Sequence, residues 1–328
     1  MTAQISVTIP GIAWRAMRMD DAEQLHTLVR QSETFDGMPF VTSLDEIHRQ
    51  LADPESDLAT DTIAAVLPDG QLAAFGASRT RADVTHRRAL GQDGTVRPDL
   101  RRRGLGTAVL AWTEGRSRER HRELGDQVPA FLEVWSNERS EDRRAFFSSR
   151  AYQPIRYYDE MRRPLRDEIP SAALSDGLRL ERWTSELDEA FREAHNDAFA
   201  DHWGSEPLSA EMWRHHRSGS PHFRRDLSYG VFEAEVLIGY CLAYHAPEDA
   251  QVTGRVDGWL GQIGVRRQWR GRGVATAVMC HVMRGMVEAG MDHACLDVDS
   301  QNPTGAVGLY ARLAFRTHER WIRWSKPA

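Results

Sequence analysis

The feature that most constrains this chain is an internal repeat. Val96 to Val109 reads VRPDLRRRGLGTAV and Val265 to Val278 reads VRRQWRGRGVATAV, and eight of these fourteen positions match at a constant offset of 169. Solenoid repeats recur every 20–50 residues or so. An offset of about half of a 328-residue chain instead means a duplicated domain. The length agrees, at about 150 residues per domain.

The flanks of the two copies run in parallel. Ile12 to Met17 is strand-like and leads into a helical pattern through Arg30; Leu178 to Trp183 and Leu187 to Phe199 repeat that order. A hairpin follows in each half. Thr62 to Leu67 turns through Pro68-Asp69-Gly70 into Leu72 to Ser78, and Ser228 to Glu233 turns at Ala234-Glu235 into Val236 to His245. Pro pre-sets φ for such a turn and Gly accepts φ > 0. Then come a strand ending at Val96 or Val265, the Arg/Gly-rich loop, and a helix closed by Gly125 or Gly290. A fifth strand follows, Ala130 to Trp135 or Ala294 to Asp299, and a final helix and strand. The expected architecture is α/β, with a mixed sheet flanked by helices in each half. The expected domains are 1–165 and 176–328, joined by a Pro- and Ser-containing linker within Arg162 to Gly177.

Composition narrows the function. With 42 Lys+Arg against 48 Asp+Glu, the net charge of −6 disfavours a general nucleic-acid binder. No apolar run reaches the 18 or so residues of a membrane span. Cys241, Cys280 and Cys295 form no C-x-x-C pair and no export signal precedes them, so a reducing cytoplasm is expected. The histidines make no H-x-x-x-H spacing, and no metal site is expected. Arg116, Arg118, Arg120 and Arg122, interleaved with Glu119 and Glu123, read as a solvated helix face.

The repeated loop carries the chemistry. A strand that runs through Arg270-Gly271-Arg272-Gly273 into a helix presents backbone N–H groups at a helix N-terminus, a ready anion site. The glycines let the backbone approach a phosphate closely, and the arginines can form charge-assisted bonds to it. The loop matches neither G-x-x-x-x-G-K-[ST] nor G-x-G-x-x-G, which disfavours ATP and redox dinucleotides.

Arg270 to Ala275 (RGRGVA) resembles the Q/R-x-x-G-x-G/A acetyl-coenzyme A signature of the GNAT acetyltransferase superfamily, and Arg101 to Gly106 (RRRGLG) is a second copy. Asn302 to Phe315 (NPTGAVGLYARLAF) resembles the next motif of that superfamily. The resemblance covers nearly the whole chain as a tandem pair, a layout shared by mycothiol synthase among others. It implies two acyl-CoA N-acyltransferase folds and transfer of the acetyl group of acetyl-CoA directly to an amine of a small molecule or peptide. It places the coenzyme diphosphate on Arg270, Gly271, Arg272, Gly273, Val274, Ala275 and Thr276. The pantetheine arm would lie along Ile263, Gly264 and Val265, with Asn302 beside it. Tyr310 matches the general acid. A phenol of pKa about 10 can protonate a thiolate whose conjugate thiol has a pKa of about 8.5.

The base stays open among Asp297, Asp257 and a water relay. Asp297 and Asp299 point to one face of their strand while Leu296 and Val298 point to the other. In the first half Phe147 stands where Tyr310 stands in the second, and Glu133 and Asn137 match Asp297 and Asn302. Phenylalanine cannot donate a proton, so catalysis is expected in the C-terminal half. Trp203, Trp213, Trp259 and His202 are candidates for the acceptor pocket or for packing. Two alternatives are a non-catalytic coenzyme A-binding module and a mycothiol synthase-like acetylation of an aminothiol glycoside.

Overall fold

The computed structural model describes residues 9–302 and 305–328. It divides into two compact units: one runs through Ile155 and includes Ile322–Ala328, the other is Arg156–Trp321.

The first unit begins β1 (Ala13–Arg15), α1 (Ala22–Asp36), α2 (Leu44–Leu51), the single turn α3 (Leu58–Asp61), β2 (Thr62–Val66), β3 (Leu72–Thr80) and β4 (Arg88–Val96). It continues with α4 (Leu105–Leu124), β5 (Ala130–Asn137), α5 (Glu141–Ser148) and the start of β6 (Gln153–Pro164). Strands β1 to β4 pair antiparallel in sequence order, and β4 pairs parallel with β5. One face of this sheet packs Phe75 and Ala77 against Leu25, Leu28, Ile47 and Leu51 of α1 and α2. The other packs Ala65 and Ala74 against Leu105 and Val109 of α4. The alternation of strand side chains sends successive residues to these two layers.

The second unit repeats the order: β7 (Leu178–Arg182), α6 (Asp188–Phe199), α7 (Ala210–Trp213), β8 (Tyr229–Glu233), β9 (Val236–Tyr244), α8 (Ala250–Thr253), β10 (Asp257–Val265), α9 (Val274–Glu288), β11 (His293–Asp299), α10 (Ala306–Arg312) and β12 (Arg316–Pro327). Strands β7 to β10 pair antiparallel in order, and β10 pairs parallel with β11. Helix α9 buries Val274, Val278, Val282 and Met286 against Ile238, Cys241, Leu260 and Leu296. On the opposite face Phe191 and Trp213 pack on Tyr240 and Leu242.

Two expectations need correction. The linker begins later than Arg162, because β6 runs to Pro164 and pairs antiparallel with β11 from Asp299↔Tyr158 to His293↔Pro164. Proline is tolerated there because it ends the ladder. Arg116 is not on a solvated face. It is buried, and its Nε donates to Asp61 at 2.7 Å.

Candidate active site

The loop between β10 and α9 has the backbone shape of an anion cradle. Gly271 and Gly273 both sit at φ +77°, and Gly273 caps α9 with no side-chain hydrogen bond. The first helical bond runs from the Ala277 N–H to the Gly273 carbonyl. The N–H groups of Val274, Ala275 and Thr276 therefore lie at the positive end of the helix without an intrahelical acceptor. A Cβ at Gly271 or Gly273 would meet nothing within 4 Å. Glycine is needed here for its φ, not for space. In the first unit Gly104 takes φ +91°, and the residue matching Gly271 is Arg102, held at φ +64°.

The first arginine of each loop is committed to the protein. Arg270 donates from Nε to the Val265 carbonyl at 3.2 Å and from Nη2 to the Ala198 carbonyl at 2.8 Å. Arg101 donates likewise to the Val96 carbonyl at 3.3 Å, and to Ser32 and Asp36 of α1. Each ties the loop to its strand and to the first long helix of its unit. Arg272 is half-exposed and donates to Glu233 at 2.8 Å, and Trp269 Nε1 donates to the same carboxylate at 2.7 Å.

The sheet opens beside this loop. β10 and β11 pair only at Asp257↔His293, Gly258↔Ala294 and Trp259↔Cys295. A bulge between Leu260 and Gln262 follows, and β10 continues to Val265 paired on its β9 side alone. Ile263, Gly264 and Val265 thus have backbone edges available to an extended ligand, which can add to them as a strand does. Gly264 lies under the ring of Tyr240, where a Cβ would come within 2.5 Å.

Tyr310 lies on α10 among the buried residues on the α9 side of the sheet, edge-on to Phe315. Burial, with Cys241 nearby, raises its pKa well above that of an ordinary phenol, and its hydroxyl makes no hydrogen bond among the described residues. Phe147, its counterpart, packs against Tyr152 and Trp324. Asn302 donates its N–H to the Asp299 carbonyl at 2.9 Å.

The opposite face of the opening is acidic. Asp297 lies on β11 just past the last β10 pair, open to solvent and without an ion pair among the described residues, and partial loss of water around it raises its pKa to about 6. Directly opposite it in β6 is Glu160, a residue not singled out from the sequence. Glu160 is buried and accepts from Arg162 Nη2 at 3.1 Å. Its pKa is raised to about 7, first by burial and then by the charges of Asp297 and Glu319. Asp257 is differently placed. It is buried and ion-paired with Arg255 at 3.2 Å and Arg162 at 3.7 Å, with the His293 ring 3.4 Å away. Glu133, the counterpart of Asp297, is buried and ion-paired with both Arg87 and Arg323.

Of the aromatic candidates, Trp213 is core and donates to Asp188 at 2.7 Å. Trp203 lies under the Arg156 guanidinium, and His202 is half-buried beside Phe199.

A glycine-capped helix after the fourth strand and a sheet opened between the fourth and fifth strands fit a fold that binds an acyl-coenzyme A. The profile of the Acetyltransferase (GNAT) family matches residues 183–315. The match lies within the second unit, which carries the GNAT domain of an acetyl-CoA-dependent acetyltransferase. The chain is 28% identical over 324 residues to a mycothiol acetyltransferase of Salinispora arenicola (strain CNS-205), spanning 95% of this chain and 94% of that one. A GCN5-related N-acetyltransferase from Sphaerobacter thermophilus superposes with a TM-score of 0.73 at 25% identity, covering 98% and 97% of the two chains. A tandem GNAT protein from the clavulanic acid biosynthesis pathway superposes with a TM-score of 0.70 at 16% identity, covering 96% and 98%.

Proposed function

We propose that the second unit transfers the acetyl group of acetyl-CoA to a primary amine of a small molecule, with Tyr310 as general acid and Asp297 as proton acceptor. The observation that carries this reading is the contrast between the repeats. The second unit has a tyrosine and an unpaired carboxylate at its opening; the first has Phe147 and a Glu133 held by two arginines.

The N–H groups of Gly273 to Thr276 receive the coenzyme diphosphate, and Arg272 reaches it by leaving Glu233. Arg270 fixes the loop's angle rather than touching phosphate. The edge of Ile263 to Val265 aligns the pantetheine arm, and a backbone N–H there stabilises the oxyanion as the amine attacks the thioester carbon. Asn302 borders that arm. Loss of water raises the proton affinity of phenolate and thiolate together, so Tyr310 stays protonated until the C–S bond breaks and then donates to sulfur. The proton shed by the amine goes to Asp297; Asp257, buried and ion-paired with Arg255 and Arg162, is the less available acceptor.

The named relative acts in mycothiol chemistry, and an aminothiol glycoside is therefore the first acceptor to test. The deciding experiment is calorimetric titration of acetyl-CoA with paired variants. Asp tolerates the left-handed conformation and suits a helix start, so Gly273→Asp should fold while repelling the diphosphate. Loss of acetyl-CoA binding and transfer in Gly273→Asp, with transfer retained in Gly104→Asp, supports the reading. The reverse pattern would sink it. Binding without thiol release for any amine would leave a coenzyme A-binding module instead.

A further inference from the structure

We propose that Glu160 is a second catalytic carboxylate of the acetyl-transfer site, which together with Asp297 receives the acceptor as an ammonium and takes the proton it must lose. This rests on the N-acetyltransferase reading above and adds the charge of the substrate and the group that recognises it.

The geometry comes from strand register. Asp297 and Glu160 are directly opposed in the β6–β11 pair, so their side chains leave the same face of the sheet. Opposed residues of an antiparallel pair have Cβ atoms about 5 Å apart. Both lie one alternation beyond Cys295, where the β10–β11 ladder ends. The carboxylates therefore flank the opening that admits the thioester, on the face away from α9.

The first unit supplies an internal control. Its matching carboxylate, Glu133, meets Arg323 and Arg87. A carboxylate whose charge is met by two guanidiniums has no reason to bind an ammonium. In the second unit the groups around the pair are Arg162 on β6 and Glu319 on β12, and no cation reaches Asp297 among the described residues. Glu160 has one arginine partner, which Asp257 shares, and Asp297 has none among the described residues, which leaves a site for one more positive charge. Loss of water raises the pKa of both carboxyls, and the Asp297 charge adds to the rise at Glu160, so each holds a proton more readily than an exposed carboxylate does.

The step balances as follows. The bound ammonium gives one proton to the carboxylate pair, which frees the nitrogen lone pair to attack the thioester carbon. The C–N bond forms and the carbonyl becomes an oxyanion. Its collapse breaks the C–S bond, and the sulfur takes the Tyr310 proton. The second nitrogen proton restores Tyr310. The products are an amide and a free thiol, and the proton on the pair leaves to water. The acceptor class is an aliphatic primary amine that is cationic in solution; a neutral arylamine or an alcohol lacks the charge the pair is built to meet.

The test uses the full chain. The side-chain carboxyls are followed by carbon-13 NMR against pH in wild type, Asp297→Asn and Glu160→Gln. Removing one charge about 5 Å away should lower the remaining carboxyl's pKa by at least about 0.6 units, the bulk-water limit, and more in a protein environment. n-Butylammonium should shift both resonances in wild type. Glu160→Gln should reduce kcat/KM for n-butylamine at least about tenfold and move its acid limb downward, with a smaller loss for aniline. Uncoupled carboxyls, or an acid limb that stays in place while transfer continues, would overturn the role of Glu160. Coupled carboxyls that bind butylammonium in a protein that transfers acetyl to no amine would instead overturn the acetyltransferase reading. Thermal midpoints of both variants guard against misfolding.

Discussion

Replacing Tyr310 with phenylalanine separates chemistry from packing unusually well in this protein. The ring is only 7% exposed and packs edge-on to Phe315, contacts a phenylalanine ring preserves. The hydroxyl makes no hydrogen bond among the described residues, so its removal strands no partner. Stability should change by less than about 0.5 kcal/mol, or about 2 °C in the thermal midpoint. Loss of a general acid should lower kcat by about 10²- to 10⁴-fold, equivalent to roughly 2.7–5.4 kcal/mol of transition-state stabilisation. Acetyl-CoA affinity should hold within a factor of about two, because the proposed diphosphate site is the Gly273 loop rather than α10. The assay is thiol release read with a chromogenic disulfide. Background is low because Cys241, Cys280 and Cys295 are all buried. A kcat within about threefold of wild type would remove Tyr310 from the mechanism. A fall of many degrees in the midpoint would show that the hydroxyl is structural.

Three further outcomes follow from the electrostatics. Glu233→Gln frees Arg272 from an exposed ion pair and should tighten acetyl-CoA binding a few-fold at low salt, an effect that calorimetry should see fade as salt is added. Asp297 has a pKa raised above that of the unfolded chain, so its ionised form opposes folding. Its penalty is absent below about pH 4 and fully present above about pH 6, so Asp297→Asn should melt higher than wild type at pH 8 and equal to it at pH 4. His195 is buried, bonded through Nδ1 to the Tyr240 hydroxyl at 2.7 Å, and its pKa is depressed to about 3 by burial. Its contribution is complete above about pH 6.5 and is lost as pH falls toward 3, with a limiting slope of roughly 1.4 kcal/mol per unit. Denaturant titrations at pH 7 and 5 should show that slope reduced in His195→Gln.

What was readable in the sequence was local. The repeat, the hairpin at Pro68-Asp69-Gly70, the glycine that stops α4, and the alternation of Leu296 and Val298 against Asp297 and Asp299 all express short-range rules, and the structure bears each of them out. Two features were not readable. Glu160 stands in a strand whose end, at Pro164, looked like the start of a linker, and its importance comes from register with β11, far away in sequence. Arg270 reads as a phosphate ligand because arginine beside glycine suits phosphate. Only three dimensions show two of its donors turned to the carbonyls of Val265 and Ala198. Both depend on tertiary pairing, which no local pattern encodes.

The last residues of the chain have a bearing on how it is made. Ile322–Ala328 belong to the first compact unit, where Trp324 donates to Ser136 and Lys326 pairs with Glu114. A ribosome working at about 5–20 residues per second needs roughly 8–33 s to travel from Ile155 to Ile322. During that time the first unit waits with its Ser136 edge uncovered, while the second has every residue it needs by Trp321. The half of the chain synthesised first is therefore the half completed last. A premature stop after Trp321 would injure the N-terminal unit, and residues 1–165 expressed alone would lack the strand segment that completes their own sheet.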